Sequence, residues 1–277
     1  MSGWVETIGI VLVAVLGVFL GRAFSSLRRP YWVCGYFLPL VLITMLVITR
    51  WANGMSFVRP FCWIATGRIR FVILSLAVTM GLATPLSRLP RKCEKVVIYI
   101  LMAVVVTWFS VLPFLIPALI KGRLSNLKTR IDASGICFQS TDYTCGPAAA
   151  VTALTRLGLP AQEGEIAILS HSSPMAGTLP GCLASALQNR YGTDGLKCQY
   201  RHFDSVGQLR DVGVMLAVVK DTFLSDHCVA ILEVSDRMVI VADPVTGTKS
   251  LSHKQFERIW RFSGITFKRD STQSPMS

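Results

Sequence analysis

Four long apolar runs fill the first 120 residues of this chain, at positions 4–24, 31–49, 71–86 and 96–120, and they restrict its fold more than any other feature. The first is interrupted only by Glu6 and Arg22 near its ends, and about 20 apolar residues in a helix cross the ~30 Å hydrocarbon core of a bilayer. A cleaved signal peptide competes for this run, but no basic segment precedes it and it exceeds the usual signal core, so it reads as a retained helix. Arg28, Arg29 and Pro30 end it, and Trp32 and Trp51 stand as interface anchors around the second run. Residues 50–70 mix Arg50, Arg59, Arg68 and Arg70 with Phe57, Phe61, Trp63 and Ile64, a pattern that lies along a membrane surface. Pro113 and Pro117 predict a kink in the fourth run.

The expectation is an α-helical membrane domain of about four transmembrane helices over 1–125, in a multi-pass protein of the cell membrane. Composition agrees, since 52% of residues are hydrophobic and only 16% charged. Four spans leave both termini on one side. Seven basic residues (Arg22, Arg28, Arg29, Arg88, Arg91, Lys92 and Lys95) then fall on one face. Eight (Arg50, Arg59, Arg68, Arg70, Lys121, Arg123, Lys128 and Arg130) fall on the other, so charge leaves the side open. The first helix alone, with Glu6 before it and three arginines after it, argues for an outside N-terminus.

The net charge of +12 suggests nucleic acid until it is divided. Residues 1–120 hold eleven Lys and Arg against two acidic residues, +9, and the remainder holds seventeen against fourteen, +3. The excess flanks apolar segments, so no nucleic-acid partner is expected. Eight cysteines, at 34, 62, 93, 137, 145, 182, 198 and 228, include no Cys-x-x-Cys pair and no zinc-ligand spacing, so neither metal nor cofactor is expected. With Cys145 free, the four others of the C-terminal part could pair in an oxidising compartment, and counting does not decide it.

From about residue 132 to 270 the sequence reads as a globular domain with its own core. Cys145 opens a helical pattern through Ala148, Val151, Leu154 and Leu157 that stops near Gly158 and Pro160. A second helix is predicted over 163–170, and Gly177-Thr178 introduces a third through Leu183, Leu187 and Tyr191. Strands are predicted over 197–203, 213–219, 228–234 and 238–242, the last two forming a hairpin around Ser235-Asp236-Arg237. The tail from Ser271 is expected to be loose.

In the stretch Gln139-Ser-Thr-Asp-Tyr-Thr-Cys145-Gly146-Pro147, the cysteine meets the positive end of a helix dipole, which favours thiolate. Among the four histidines, His227 sits where Ser225-Asp226 enters a strand. If Val234 pairs with Met238, Val229 faces Asp243, and His227 and Asp243 become diagonal neighbours about 7–8 Å apart on one face. That is how a base and its orienting carboxylate should stand. Asp243 equally suits the start of the turn Asp-Pro-Val-Thr-Gly247, and both roles can hold. Gln139 can donate its amide to a developing oxyanion beside the Cys145 N–H.

Gln139, Cys145-Gly146, Gly177-Thr178, His227-Cys-Val-Ala-Ile-Leu and Asp243-Pro244…Gly247, in that order, resemble the bacteriocin-processing peptidase domain, a papain-like cysteine peptidase at the front of peptide-exporting ABC transporters. The resemblance covers roughly residues 135–268. It implies an α+β papain-like fold with an antiparallel sheet and cleavage of leader peptides after a double glycine. It also implies Cys145 as nucleophile, His227 as general base and then acid, Asp243 as orienter and Gln139 as oxyanion donor. The partners it implies are a peptide or protein substrate and, beside the lipid bilayer, an exporter.

Three features depart from the family. The domain comes last, behind four spans, instead of first and in the cytoplasm. Gly247-Thr-Lys249-Ser250 lacks the glycine immediately before the lysine and is not a P-loop, so no ATPase is expected. Pro147 replaces the usual exporter residue, at a first-turn position that tolerates proline. A non-catalytic peptide-binding module and an acyl transferase using the same nucleophile are the alternative readings.

Overall fold

A continuous apolar run without turn residues can satisfy its backbone internally only as helix, and residues of the four runs fold this way in the computed structural model. The structure describes residues 3–28, 30–51, 55–59, 61, 69–222 and 225–269. They form two compact units, Met1–Leu119 and Ile120–Ser277. Residues 52–54, 60 and 62–68 of the stretch expected at the membrane surface lie outside the described residues, as does the tail from Ser271.

The first unit contains α1 (Gly3–Ser25), α2 (Phe37–Trp51), α3 (Ile69–Ala83), α4 (Lys92–Val106) and α5 (Leu112–Leu119). The second run begins as a 3₁₀ stretch, Tyr31–Tyr36, before α2. The third stops at Ala83, ahead of Pro85. The fourth starts at Lys92 and passes through a π-helical segment, Thr107–Val111, into α5. A proline ring clashes with the carbonyl four residues back. The wider π turn just before Pro113 gives that carbonyl room, so the irregularity falls one turn earlier than the prolines themselves suggest.

Among the described residues, two helices are long and apolar enough to cross a membrane, Thr7–Ser25 and Tyr31–Thr49, and Ile69–Ala83 is apolar but shorter. One face of α1, with Ile10, Ala14, Gly17 and Gly21, is buried. A side chain at Gly17 would overlap Thr79, and one at Gly21 would overlap the Met80 carbonyl, so glycine sets how closely α1 approaches α3. The opposite face exposes Ile8, Leu12, Leu16 and Phe19.

The second unit begins with α6 (Lys121–Ser125) and a two-stranded ribbon of β1 (Arg130–Ile131) and β2 (Cys137–Phe138). Three helices follow, α7 (Cys145–Arg156), α8 (Glu163–Leu169) and α9 (Pro180–Tyr191), close to the predicted positions. Then come β3 (Leu196–His202), β4 (Met215–Lys220), β5 (Asp226–Val234), β6 (Met238–Asp243), β7 (Gly247–Ser252), α10 (His253–Ile259) and β8 (Trp260–Arg269). The six strands β3–β8 form one antiparallel sheet in the order β3-β8-β4-β5-β6-β7.

Both faces of this sheet are covered. On one side α7, buried from Gly146 to Leu154, packs with Leu183 and Leu187 of α9 over Leu216, Ala230 and Ile265. On the other, Phe203, Phe256 and Trp260 close over Met215, Val229 and Val241. This double burial explains the unbroken apolar pattern of β4. β7, α10 and β8 have no counterpart among the sequence expectations. β7 is a largely polar edge strand, α10 has seven residues and relies on a Ser252–Gln255 capping box, and β8 carries Ser263 and Gly264 in its middle.

The hairpin register corrects one expectation. Val234 pairs with Val239 instead of Met238, because Ser235 and Met238 bond to each other across the turn. A bulge between Ile231 and Glu233 removes the offset, so Ala230 pairs with Ala242. Continued by one residue, that register sets Val229 opposite Asp243 after all.

Candidate active site

Asp243 ends β6, and the chain must turn there because Pro244 has no N–H for the ladder. Its Oδ1 accepts the Val245 N–H at 2.9 Å and its Oδ2 accepts the Thr246 hydroxyl at 2.7 Å, closing a turn in which Gly247 takes a positive φ of 83°. The same carboxylate lies 2.9 Å from His227 Nε2 and 3.0 Å from Lys249 Nζ. Asp243 is therefore both turn former and imidazole partner. Burial raises its pKa, but His227, Val245, Thr246 and Lys249 outweigh burial and hold the carboxyl well below its usual range.

His227 stands in the second position of β5, paired with Val219 of β4. Its Nε2 is committed to Asp243, and the Cys145 side chain lies near enough to the same ring to favour its protonated form. Burial opposes protonation of the imidazole, yet the bonds to Asp243 and Cys145 and their charges outweigh it and raise the pKa to about 9. The ring is thus built to carry a proton between two acceptors.

Cys145, half-buried, is the first residue of α7. Its N–H is one of those a helix leaves without an internal acceptor, free to meet a negative oxygen. Three bonds hold the loop before it. Thr144 N–H donates to Thr141 O, Thr141 N–H to the Thr144 hydroxyl, and the Thr178 hydroxyl to Tyr143 O. Thr178 thus holds the approach to the cysteine from the Gly177-Thr178 loop.

Gln139 is tied by its own N–H to Pro244 O at 3.0 Å, which couples this loop to the turn after Asp243. Its side-chain Oε1 is buried and has no hydrogen-bond partner. Beside it opens a cavity of about 420 Å³ lined by Arg130, Phe138, Asp142, Pro244 and Val245. A second cavity, about 240 Å³, reaches His227 and Asp243 between Lys220, Lys249 and Phe256.

Hydrogen bonds thus link His227 to Asp243 and Gln139 to the turn that follows Asp243, and Cys145 lies near enough to His227 to act on its protonation. Sequence reasoning missed Thr246, Lys249 and Glu163. Lys249 carried no local signal beyond an incomplete phosphate-loop pattern, and it is the β6–β7 pairing that brings it to Asp243. All seven described cysteines are free thiols. Among the described residues, no cluster of three His, Cys, Asp or Glu side chains could hold a metal.

The sequence model of the Peptidase C39 family matches residues 134–272. An uncharacterized protein of Methanothermobacter thermautotrophicus is 27% identical over 143 residues, covering 52% of this chain and 94% of its own. The peptidase domain of Streptococcus ComA, a bifunctional ABC transporter involved in quorum sensing, is 17% identical with a TM-score of 0.43, over 48% of this chain and 96% of that one. A double glycine motif protease from an AMS/PCAT transporter, in complex with its leader peptide, is 16% identical with a TM-score of 0.41, over 52% and 93%.

Proposed function

The chain belongs to the Peptidase C39 family, and from that membership we propose that it is a cysteine peptidase whose reaction runs through Cys145, His227, Asp243 and Gln139. The observation that carries this reading is the setting of His227, hydrogen-bonded to Asp243 at 2.9 Å and close enough to the Cys145 side chain for the cysteine to favour its protonated form.

Cys145 thiolate attacks the scissile carbonyl carbon, and the negative oxygen that forms is met by the Cys145 N–H and the Gln139 carboxamide. His227, protonated, gives its proton to the leaving amine as the C–N bond breaks, leaving a thioester on Cys145. The neutral imidazole then takes a proton from water, whose oxygen attacks the thioester, and returns it to the departing sulfur. Asp243 keeps the ring oriented and compensates its charge.

The substrate in this reading is a peptide, and the motif resemblance extends it to leader peptides cut after a double glycine, with an exporter working alongside. The peptidase domain spans 132–270 and follows a multi-pass membrane domain over 1–125. Support for the anchor comes from two helices of spanning length and the exposed row Ile8, Leu12, Leu16 and Phe19.

The test is thiol reactivity in the full chain in detergent. At pH 6, iodoacetamide is expected to label Cys145 ahead of Cys34, Cys93 and Cys182, and the preference should vanish in His227→Ala. Slow, even labelling of these thiols by mass spectrometry would overturn the activated-thiolate reading.

A further inference from the structure

Glu163, at the first position of α8, is completely buried. Among the described residues it forms no ion pair, although a buried carboxyl without a counter-charge is costly. What it has instead is Ser140. Glu163 Oε1 accepts the Ser140 N–H at 2.8 Å, and Oε2 accepts the Ser140 hydroxyl at 2.6 Å. The Glu163 N–H in turn donates to Thr129 Oγ1 at 2.9 Å, which fixes the start of α8 against the segment leading into β1. Its charge also acts on Cys137 at the start of β2, where burial first, and then Glu163, push the thiol up to about 12.

Ser140 is the residue after Gln139, and this adjacency gives the contact its meaning. The Gln139 N–H belongs to the peptide plane before the Gln139 Cα, and Pro244 O holds that plane. The Ser140 N–H belongs to the plane after it, and Glu163 holds that one. Two fixed planes around one Cα fix the direction of its Cα–Cβ bond, from which the side chain starts. The Gln139 Oε1 is buried without a hydrogen-bond partner to aim the carboxamide, so the placement of that group depends on the Cα–Cβ direction set by its backbone.

We propose that Glu163 is a positioning residue that aims the Gln139 carboxamide at the oxyanion by clamping the Ser140 peptide group. This rests on the peptidase reading above. Glu163 touches neither substrate nor thiol. Its effect belongs to the step in which negative charge develops on the carbonyl oxygen.

Two reactions of the full chain separate that effect from general stability. Alkylation of Cys145 by iodoacetamide displaces iodide and develops no carbonyl oxyanion, whereas cleavage of an aminocoumarin amide of a peptide ending in Gly-Gly does. Glu163→Gln keeps the shape but replaces the charged acceptor of the Ser140 N–H by a neutral carbonyl, which holds that N–H about half as strongly. It should lower kcat for the amide on the order of 10-fold, below the ~10²–10³ that loss of a whole oxyanion donor costs. KM should stay within about twofold, and Cys145 alkylation should be unchanged. In a Gln139→Ala background the same substitution should have no further effect, because nothing remains to aim. Ser140→Ala, which keeps the N–H and loses one of the two bonds, should fall between wild type and Glu163→Gln, and it serves if Glu163 variants fold poorly.

Equal losses in cleavage and alkylation, additive losses with Gln139→Ala, or an unchanged kcat in Glu163→Gln would each overturn the proposal. A wild-type protein that alkylates at Cys145 but cleaves no amide would overturn the peptidase reading, and the inference with it.

Discussion

In the helical unit, two buried threonines bond to carbonyls one turn back, Thr79 to Ser75 at 2.7 Å and Thr84 to Met80 at 2.9 Å, while buried Ser25 at the end of α1 reaches across to Ser87. In the α+β unit, the buried polar groups reach across elements. Glu163 reaches from α8 to the loop after β2, His227 from β5 to the end of β6, and Lys249 from β7 to the same carboxylate. A bond inside one helix forms with the helix and asks nothing of the tertiary arrangement. A bond between elements exists only when register and packing are right, and when it fails it leaves a costly buried group. The threonines of the helical unit thus need only their own helix, whereas Glu163, His227 and Lys249 of the α+β unit depend on how separate elements meet.

The largest expected effect follows from cutting the most connected of these bonds. Asp243→Asn should reduce kcat/KM for peptide cleavage by roughly 10²–10⁴, as loss of an orienting carboxylate does elsewhere. It should also move the alkaline limb of the pH profile. His227 carries its proton up to about 9 partly because of Asp243, so without that charge the limb should fall toward the usual ~6.5. The same raised pKa gives a stability contribution that is complete below about 6.5 and lost as pH climbs through about 9. A limb that stays near 9 in Asp243→Asn would show that Cys145 alone holds the proton.

Lys249→Met should act more mildly. Lys249 is one of four partners of Asp243 and is about half exposed, 46%, so water screens it and the loss in kcat/KM should stay within about tenfold. The carboxylate, held low by its partners, contributes stability that is present above the unfolded pKa and lost as pH falls. In the variant this loss should begin at a higher pH, visible as an earlier drop of the thermal midpoint on acidification. An unshifted acid profile would show the ion pair to be incidental.

Gly17→Leu should have the smallest effect on cleavage. A leucine there collides with Thr79 on α3, so helical content in detergent should melt at lower temperature while amide cleavage and Cys145 alkylation stay within about twofold. A loss of cleavage as large as that of Lys249→Met would break the contrast between the units.

The site's parts were legible in unequal degree. Cys145 at a helix start and His227 entering a strand are local patterns, visible because cap, apolar period and polar loop lie within ten residues of each other. The Val229–Asp243 relation was also legible, though through a hairpin register wrong at the tip. The bulge near Leu232 restores what the turn displaces, and bulges leave little trace in an apolar strand pattern. Glu163 and Lys249 left no trace, because a glutamate in a first helical turn and a lysine on an edge strand have ordinary solvent-facing reasons to be there.

By itself the sequence determined the helical runs, the helices after Cys145 and the strands up to Asp243, which run is buried on both sides, and which thiol and imidazole could serve chemistry. Those properties depend on neighbours a few residues away. The tertiary structure alone decided that the last strand inserts between β3 and β4, that Lys249 shares the carboxylate with His227, and that Glu163 holds the peptide group beside Gln139. Each joins residues whose proximity arises from packing the whole unit, and no periodicity records such a contact until the chain has closed around it.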